Sequence, residues 1–385
     1  MNASNHRWES FRRQMPVTKR WAYLDHAAVA PLSEPARSAI SQWADQAAEQ
    51  GDVCWPQWDQ RCQQVRQTAA SMINANTSEI ALVPNTTTGI GLVAEGYPWR
   101  EGDNVVTLAN EFPSNQYPWM NLATRGVRTR RVEVPDGQVR VDHLLAACDQ
   151  RTRIISVSWV GYATGWRMDV SGLVQEAHRR GILVFLDAIQ GLGVFPLDVQ
   201  AWEVDFLAAD GHKWMLGPEG AGLLFIRAEH LERLRPLLVG WNSVQQSHDF
   251  SRCDLDLRPA AARYEGGSAN MAGIAALGAS LELLTGAGLT PDDSPLADRV
   301  VEWTDLAIER LRSIGALIRS PRVHGHESGI LAFELPGKSP SAVRRHCLEN
   351  GVVLSVRHGW LRISPHAYNN EQDIDRLIAQ LQDAP

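Results

Sequence analysis

Between about Glu79 and Arg227 the chain alternates short β-rich apolar runs with stretches of helical periodicity, and this alternation limits the fold more than any other feature. The runs are Ile80–Val83, Asn104–Leu108, Val127–Val134, Arg153–Ser158, Ile182–Leu186, Phe206–Ala208 and Gly222–Ile226. Helical spacing between them is clearest in Val170–Arg180, where Leu173, Val174 and Ala177 share a face. Such a pattern predicts an α/β fold, a mostly parallel sheet covered by helices on both sides. Active sites in such sheets lie beyond the carboxyl ends of the strands.

After Gly266 the pattern turns helical, with Met271–Leu284 apolar and Ala-rich, then Leu296–Ile314. The turn-rich stretch Thr285–Ser294 between them reads as a domain joint. A smaller α+β unit follows, with strands at Gly329–Glu334, Val352–Val356 and Trp360–Ile363 and helices at Pro340–Asn350 and Glu371–Leu381. The expected organisation is an amino-terminal segment (1–22), a large domain (23–285) and a small carboxyl-terminal domain (286–385).

Charge and cysteine content exclude several functions. With 37 basic and 44 acidic residues the formal charge is −7, and no basic run follows a phosphate backbone or an anionic membrane. Met1 to Arg20 lacks the apolar core of a signal peptide, and no stretch approaches the roughly 20 apolar residues that span a bilayer. Cys54, Cys62, Cys148, Cys253 and Cys347 are odd in number and scattered, which fits neither a disulfide framework nor a metal site. A cytoplasmic location is the expectation.

Chemistry concentrates in two places. Asp187 and Gln190 end the run Gly181-Ile182-Leu183-Val184-Phe185-Leu186-Asp187-Ala188-Ile189-Gln190, and Lys213 follows in Ala209-Asp210-Gly211-His212-Lys213-Trp214. A carboxylate at the end of a buried strand suits a cationic ring nitrogen. A downstream lysine can hold an aldehyde covalently until a substrate amine displaces it. Pyridoxal phosphate requires this pair from a protein.

Its other handles have candidates too. Gln190 could reach the ring's phenolic oxygen, and His212 the phosphate. In Pro84-Asn85-Thr86-Thr87-Thr88-Gly89-Ile90 a strand passes into a helix, so the hydroxyls of Thr86, Thr87 and Thr88 stand beside free N–H groups at a helix start. Phe112, on the loop Asn110-Glu111-Phe112-Pro113-Ser114-Asn115, is the candidate to stack on the ring. Taken singly, these residues would read as a helix cap, a core phenylalanine and a structural histidine. A nicotinamide site is excluded, because Gly191-Leu192-Gly193-Val194-Phe195-Pro196 ends in proline and lacks the strand–turn–helix setting.

In order along the chain, these segments resemble the class V aminotransferase family of fold-type I pyridoxal phosphate enzymes, which includes cysteine desulfurases, kynureninases and isopenicillin N epimerase-like proteins. The likeness runs from Tyr23-Leu24-Asp25-His26-Ala27-Ala28 to Ser364-Pro365-His366-Ala367-Tyr368-Asn369. It implies a seven-stranded, mainly parallel sheet, a small carboxyl-terminal domain and a homodimer with its active site at the interface. A partner subunit's Gly-Gly-Ser/Thr segment contacts the phosphate in that family, which makes Ser268, in Glu265-Gly266-Gly267-Ser268, a candidate; Trp241 resembles a tryptophan used similarly. The likeness assigns Arg362 to the substrate carboxylate, through a bidentate guanidinium fork. It also brings His26 and Ala28 to the substrate side.

The departures bear on the reaction. Cysteine desulfurases carry a cysteine on a loop between the equivalents of Arg357 and Arg362, where this chain has His358-Gly359-Trp360. They tend to stack a histidine where this chain has Phe112, and often keep an asparagine beside the cofactor where it has Trp159. The expected function is that of a pyridoxal phosphate enzyme acting on a small amino-bearing substrate. Transamination is favoured because it needs no extra nucleophile. Epimerisation or racemisation, and C–S or C–C cleavage without a catalytic cysteine, are the alternatives; a cofactor-binding regulator is the non-enzymatic one.

Overall fold

The structure, a computed structural model, describes residues 3–385. Helix α1 (Ala3–Arg13), strand β1 (Ala22–Tyr23) and helices α2 (Glu34–Glu49) and α3 (Trp55–Met72) precede the alternating region. There β2 (Ile80–Val83) leads into α4 (Thr86–Gly96), β3 (Asn104–Leu108) into α5 (Tyr117–Asn121), β4 (Arg128–Val132) into α6 (Val141–Ala146) and β5 (Thr152–Ser158) into α7 (Val170–His178). Strands β6 (Leu183–Asp187), β7 (Phe206–Asp210) and β8 (Gly222–Ile226) complete a seven-stranded sheet of spatial order β2-β8-β7-β6-β5-β3-β4.

Strand β8 runs antiparallel to both neighbours, and the other adjacent pairs are parallel. Strands β2 and β7 therefore point the same way, and the carboxyl ends of β2, β3, β5, β6 and β7 share one edge. Every position of β2, β3, β7 and β8 is buried, with one apolar cluster on each side of the sheet. Strand β7 runs past the apolar stretch because Ala209 and Asp210 pair with Leu223 and Gly222, and this extension sets Asp210 at the active edge. Helix α4 lies close on the sheet. A Cβ at Gly89 would stand 2.7 Å from the Ala208 Cβ, so only glycine lets the helix start settle against β7.

The carboxyl-terminal part comprises α8 (Met271–Gly286), α9 (Pro295–Ser313), β9 (Leu317–Ile318), β10 (Leu331–Glu334), α10 (Pro340–Glu349), β11 (Val352–Val353), β12 (Ser355–Arg357), β13 (Trp360–Ile363) and α11 (Glu371–Asp383). An antiparallel sheet β12-β13-β10-β9 forms its centre. The run Val352–Val356, expected as one strand, divides: β11 pairs with β1 and β12 with β13. Ala22 and Leu24 consequently pack in the same cluster as Val352 and Ile363. Helix α9 serves both cores, with Leu296 and Val300 in the large one and Ala307 and Leu311 in the small one. Helix α9 thus bridges the two clusters, and β1 is joined to the carboxyl-terminal part through β11. Among the described residues no helix is long and apolar enough to cross a membrane.

Candidate active site

The strand ends enclose a cavity of about 250 Å³. The turn after β2 contributes Asn85, Thr86 and Thr87, and the loop after β3 contributes Phe112 and Ser114. From β5 and its loop come Ser158 and Tyr162, from β6 Asp187, Ile189 and Gln190, and from β7 Asp210, His212 and Lys213. Ala27, Ala28 and Val29 close it from the amino-terminal segment, and Arg357 and Arg362 from the small unit.

Asp187 is 3% exposed, and its Oδ1 accepts the Ile189 N–H at 3.1 Å. Burial pushes its pKa up to about 6, against the pull of that N–H and of Lys213. Lys213 is buried as well; burial pushes its amine down to about 8, with Asp187 opposing. Its Nζ lies 5.5 Å from the Phe112 ring centroid. A buried carboxylate short of N–H donors and an amine shifted toward its neutral form thus share one chamber.

Helix α4 opens on that chamber. The Asn85 side chain caps it, accepting the Thr88 N–H at 2.8 Å and the Thr88 hydroxyl at 3.0 Å. Thr88 is therefore spent on the cap and does not line the cavity, contrary to the expectation that all three threonines face a phosphate. Thr86 accepts the Asp210 N–H at 2.9 Å and keeps its own proton, while Thr87 donates to Ser114 at 2.8 Å. The positive end of the helix dipole and its free N–H groups favour an anion there.

Arg362 is 1% exposed. Its Nε donates to Ser355 Oγ at 3.1 Å, Nη1 to the Tyr162 carbonyl at 2.7 Å and Nη2 to Asp25 Oδ1 at 3.1 Å. A guanidinium has five N–H donors, so Nη1 and Nη2 each keep one, the fork that a carboxylate accepts. Burial pulls its pKa down to about 10, with Asp25 opposing.

Several expected contacts are not made within one chain. His26 has no exposed surface, and its Nδ1 and Nε2 are taken by the Ser364 carbonyl at 2.8 Å and the Tyr368 hydroxyl at 2.7 Å. It stands behind the cavity wall and does not line the chamber. Gln190 lines the cavity, but its Nε2 donates to the Ala27 carbonyl and its Oε1 accepts from Trp214, which leaves one N–H uncommitted. Trp159 points into the core against Phe195 and Trp202, while Ser158, its neighbour on the alternate face, lines the cavity. Trp241 and Ser268 are outside the chamber, on a surface where Asn242 bonds Gly266 and Glu265.

Residues not singled out from the sequence complete the site. Glu111 is buried beside Phe112, accepts the Ser158 N–H at 2.7 Å and the Ser158 hydroxyl, and is pushed up to about 7 by burial. Asp210 lies 2.8 Å from His212 Nδ1, and its Oδ1 is buried without a partner. Arg357 and Tyr162 stand at the mouth. The position of Asp210 three residues before Lys213 was a signal available in the sequence; the others are brought in by long-range packing.

No cysteine lines the cavity among the described residues. Cys54, Cys62 and Cys347 are buried, Cys148 half-buried and Cys253 exposed elsewhere. The β12–β13 connection is a two-residue turn with positive φ at His358 (50°) and Gly359 (81°), too tight to carry a mobile thiol. At the opposite edge of the sheet Asp205, Glu229 and His230 converge, but the Asp205 oxygens already accept from His178, His230 and the Val184 N–H.

Known proteins resemble this chain over nearly its whole length. The profile of the family described as Aminotransferase class-V matches residues 22–377. A probable cysteine desulfurase of Methanothermobacter thermautotrophicus is 30% identical, with 98% of each chain covered. Among solved structures, a lysine-to-alanine mutant of C-DES with glycine covalently linked to its pyridoxal phosphate cofactor superposes with a TM-score of 0.91 at 23% identity, over 97% of this chain and 99% of that one. The complex of the cystine C–S lyase C-DES with its product cysteine persulfide gives 0.90 at 23%, over 96% and 100%.

Proposed function

The chain belongs to the aminotransferase class-V family of pyridoxal phosphate enzymes, and from that membership we propose that it breaks a carbon–sulfur bond in a small sulfur-bearing amino acid by elimination, using no thiol of its own. The buried polar groups fit the cofactor. Asp187 would meet the ring nitrogen, Phe112 the ring face, Lys213 the aldehyde, and Thr86, Thr87, His212 and the α4 amino terminus the phosphate. When bound, the cofactor supplies a covalent hold on the substrate amine and a ring that stores the electron pair left at Cα.

The protein's own groups do the rest. Arg362 clamps the substrate carboxylate with its two uncommitted N–H groups. Lys213, shifted toward neutrality by burial, takes the Cα proton. The Asp187 carboxylate would stabilise the positive charge of the ring nitrogen from a site that excludes water. The bond from Cβ to sulfur then breaks with both electrons on sulfur.

The observation that carries this reading is a chamber holding Asp187, Lys213 and Arg362 with no cysteine in its walls. Relatives named cysteine desulfurase and cystine C–S lyase act on carbon–sulfur bonds, which favours elimination over the transamination that the sequence first suggests. Exposed Leu238, Val239, Trp241 and Phe250 adjoin the Ser268 segment and support a homodimer in which that segment reaches the partner's phosphate site.

The test is product analysis of the loaded enzyme with cysteine, cystine and S-alkylcysteines. Elimination yields pyruvate, ammonia and a sulfur leaving group. A keto acid that retains its sulfur would establish transamination, and inverted substrate an epimerase. Binding with no product would make the protein a cofactor-binding regulator.

A further inference from the structure

Elimination leaves one requirement unmet by the residues assigned so far, a proton for the departing sulfur. Lys213 is occupied with the Cα proton. Among the hydroxyls lining the chamber, that of Ser158 donates to Glu111 and that of Thr87 to Ser114, while Thr86, which keeps its proton, and Ser114, bonded to Thr87, stand at the α4 start assigned to the phosphate. Tyr162 differs. Its ring packs edge-on against Phe112, with centroids 5.3 Å apart at 80°. Its hydroxyl lies 2.7 Å from His358 Nε2, and its carbonyl takes the Nη1 donor of Arg362 at 2.7 Å. The residue that anchors the carboxylate therefore also fixes the backbone of Tyr162. His358 itself is exposed on the two-residue turn, held there by its left-handed backbone.

We propose that Tyr162 is the catalytic acid that protonates the departing sulfur, and that His358 is the positioning residue that resupplies its proton from solvent. This rests on the carbon–sulfur cleavage reading above. As the Cβ–S bond breaks with its electron pair on sulfur, the phenolic proton moves to that sulfur. The Nε2 proton of His358 moves to the phenolic oxygen, and water restores the imidazole. Together with the Cα proton held by Lys213, the substrate has lost a thiol, with no oxidant or reductant consumed. Imidazole is the side chain suited to exchange protons with water near neutrality. Burial raises the Tyr162 phenol and keeps it protonated, and Arg357 and Arg362, which line the chamber with it, offset part of that as negative charge passes through it.

The test uses the cofactor-loaded enzyme and its Tyr162→Phe and His358→Gln variants on two substrates. S-ethylcysteine releases a basic thiolate that needs a proton, whereas β-chloroalanine releases chloride, which needs none. Tyr162→Phe is expected to shift the ratio of the two elimination rates by about 10²-fold against the thioether, the size of a general-acid contribution. His358→Gln shifts it in the same direction by about tenfold. Binding of glycine, which carries no leaving group, is measured by equilibrium titration and changes by less than about threefold in both variants. An unchanged rate ratio in a folded variant overturns the inference. So does parallel loss on both substrates together with weakened glycine binding, which marks a structural role. If Tyr162→Phe fails to fold, His358→Gln decides alone by the same ratio. Unmodified enzyme that acts on β-chloroalanine but on no thioether or disulfide overturns the cleavage reading itself, whereas thioether cleavage that ignores Tyr162 overturns this inference alone.

Discussion

Arg362 Nη2 donates to Asp25 Oδ1 at 3.1 Å, joining residues 337 positions apart and tying the amino-terminal segment to β13 at the floor of the cavity. Ser355 Oγ donates to the same oxygen at 2.8 Å and accepts from Arg362 Nε, so the guanidinium is held on two sides. Burial raises the Asp25 carboxyl, while Arg362 and Ser355 pull it back. The carboxylate clamp is thus preorganised before substrate arrives.

Arg362→Ala is expected to raise KM for carboxylate-bearing substrates and to cost about 3–5 kcal/mol of stability, because Asp25 is left buried and uncompensated. Adding Asp25→Asn should return much of the stability and none of the KM. Chemical denaturation and steady-state kinetics on the single and double variants separate the two effects. If unmodified enzyme prefers amines without a carboxylate, the assignment fails.

For Asp187 the pH dependence carries a definite sign. In cofactor-free protein its folded pKa of about 6 stands above an unfolded value of about 3.9. The folded state binds more protons between those values, so the contribution of this group is present at low pH and is lost as pH rises from about 4 through 6. Relative to Asp187→Asn, the unmodified apoprotein should lose on the order of 2–3 kcal/mol across that window. Urea titrations at the two ends check it, and a constant difference would mean a solvated carboxylate. In loaded enzyme the same substitution should slow turnover by about 10²-fold or more.

Lys213→Ala should abolish the covalent link to the cofactor, so that borohydride treatment followed by peptide mass spectrometry finds no labelled lysine. Label at any other lysine would move the reactive amine elsewhere.

Cys253 is the exposed thiol, remote from the cavity. Cys253→Ser, or alkylation of the native enzyme, should leave carbon–sulfur cleavage within about twofold, since no enzyme sulfur takes part. Inactivation by alkylation that Cys253→Ser prevents would restore a thiol mechanism.

Legibility varied with the range of the forces involved. The strands around Asp187 and Lys213 were readable because a strand buried on both faces must be apolar, and an aspartate ending such a run stands out. Thr86 and Thr87 were readable as a helix start. Hydrogen-bonding capacity is visible in sequence, whereas its prior commitment is not: Thr88 is spent on Asn85, and Gln190, though it lines the cavity, is partly committed to Ala27 and Trp214. His26 looked available for the same reason, until packing enclosed it between Ser364 and Tyr368.

The amino-acid order alone settled the sheet-and-helix architecture, the lysine–aspartate pair and the absence of cysteine between Arg357 and Arg362, because each is a local property of hydropathy, spacing or residue type. Tertiary structure decided which side chains share the chamber. Arg357 and Tyr162 line it from distant segments with Glu111 and Asp25 behind them, and Asp25 reaches Arg362 because it bridges Ser364 just beyond β1, which pairs with β11. Burial then set the charge preferences of Asp187 and Lys213, since an ionisable group acquires its acidity from the dielectric and the neighbours that folding places around it.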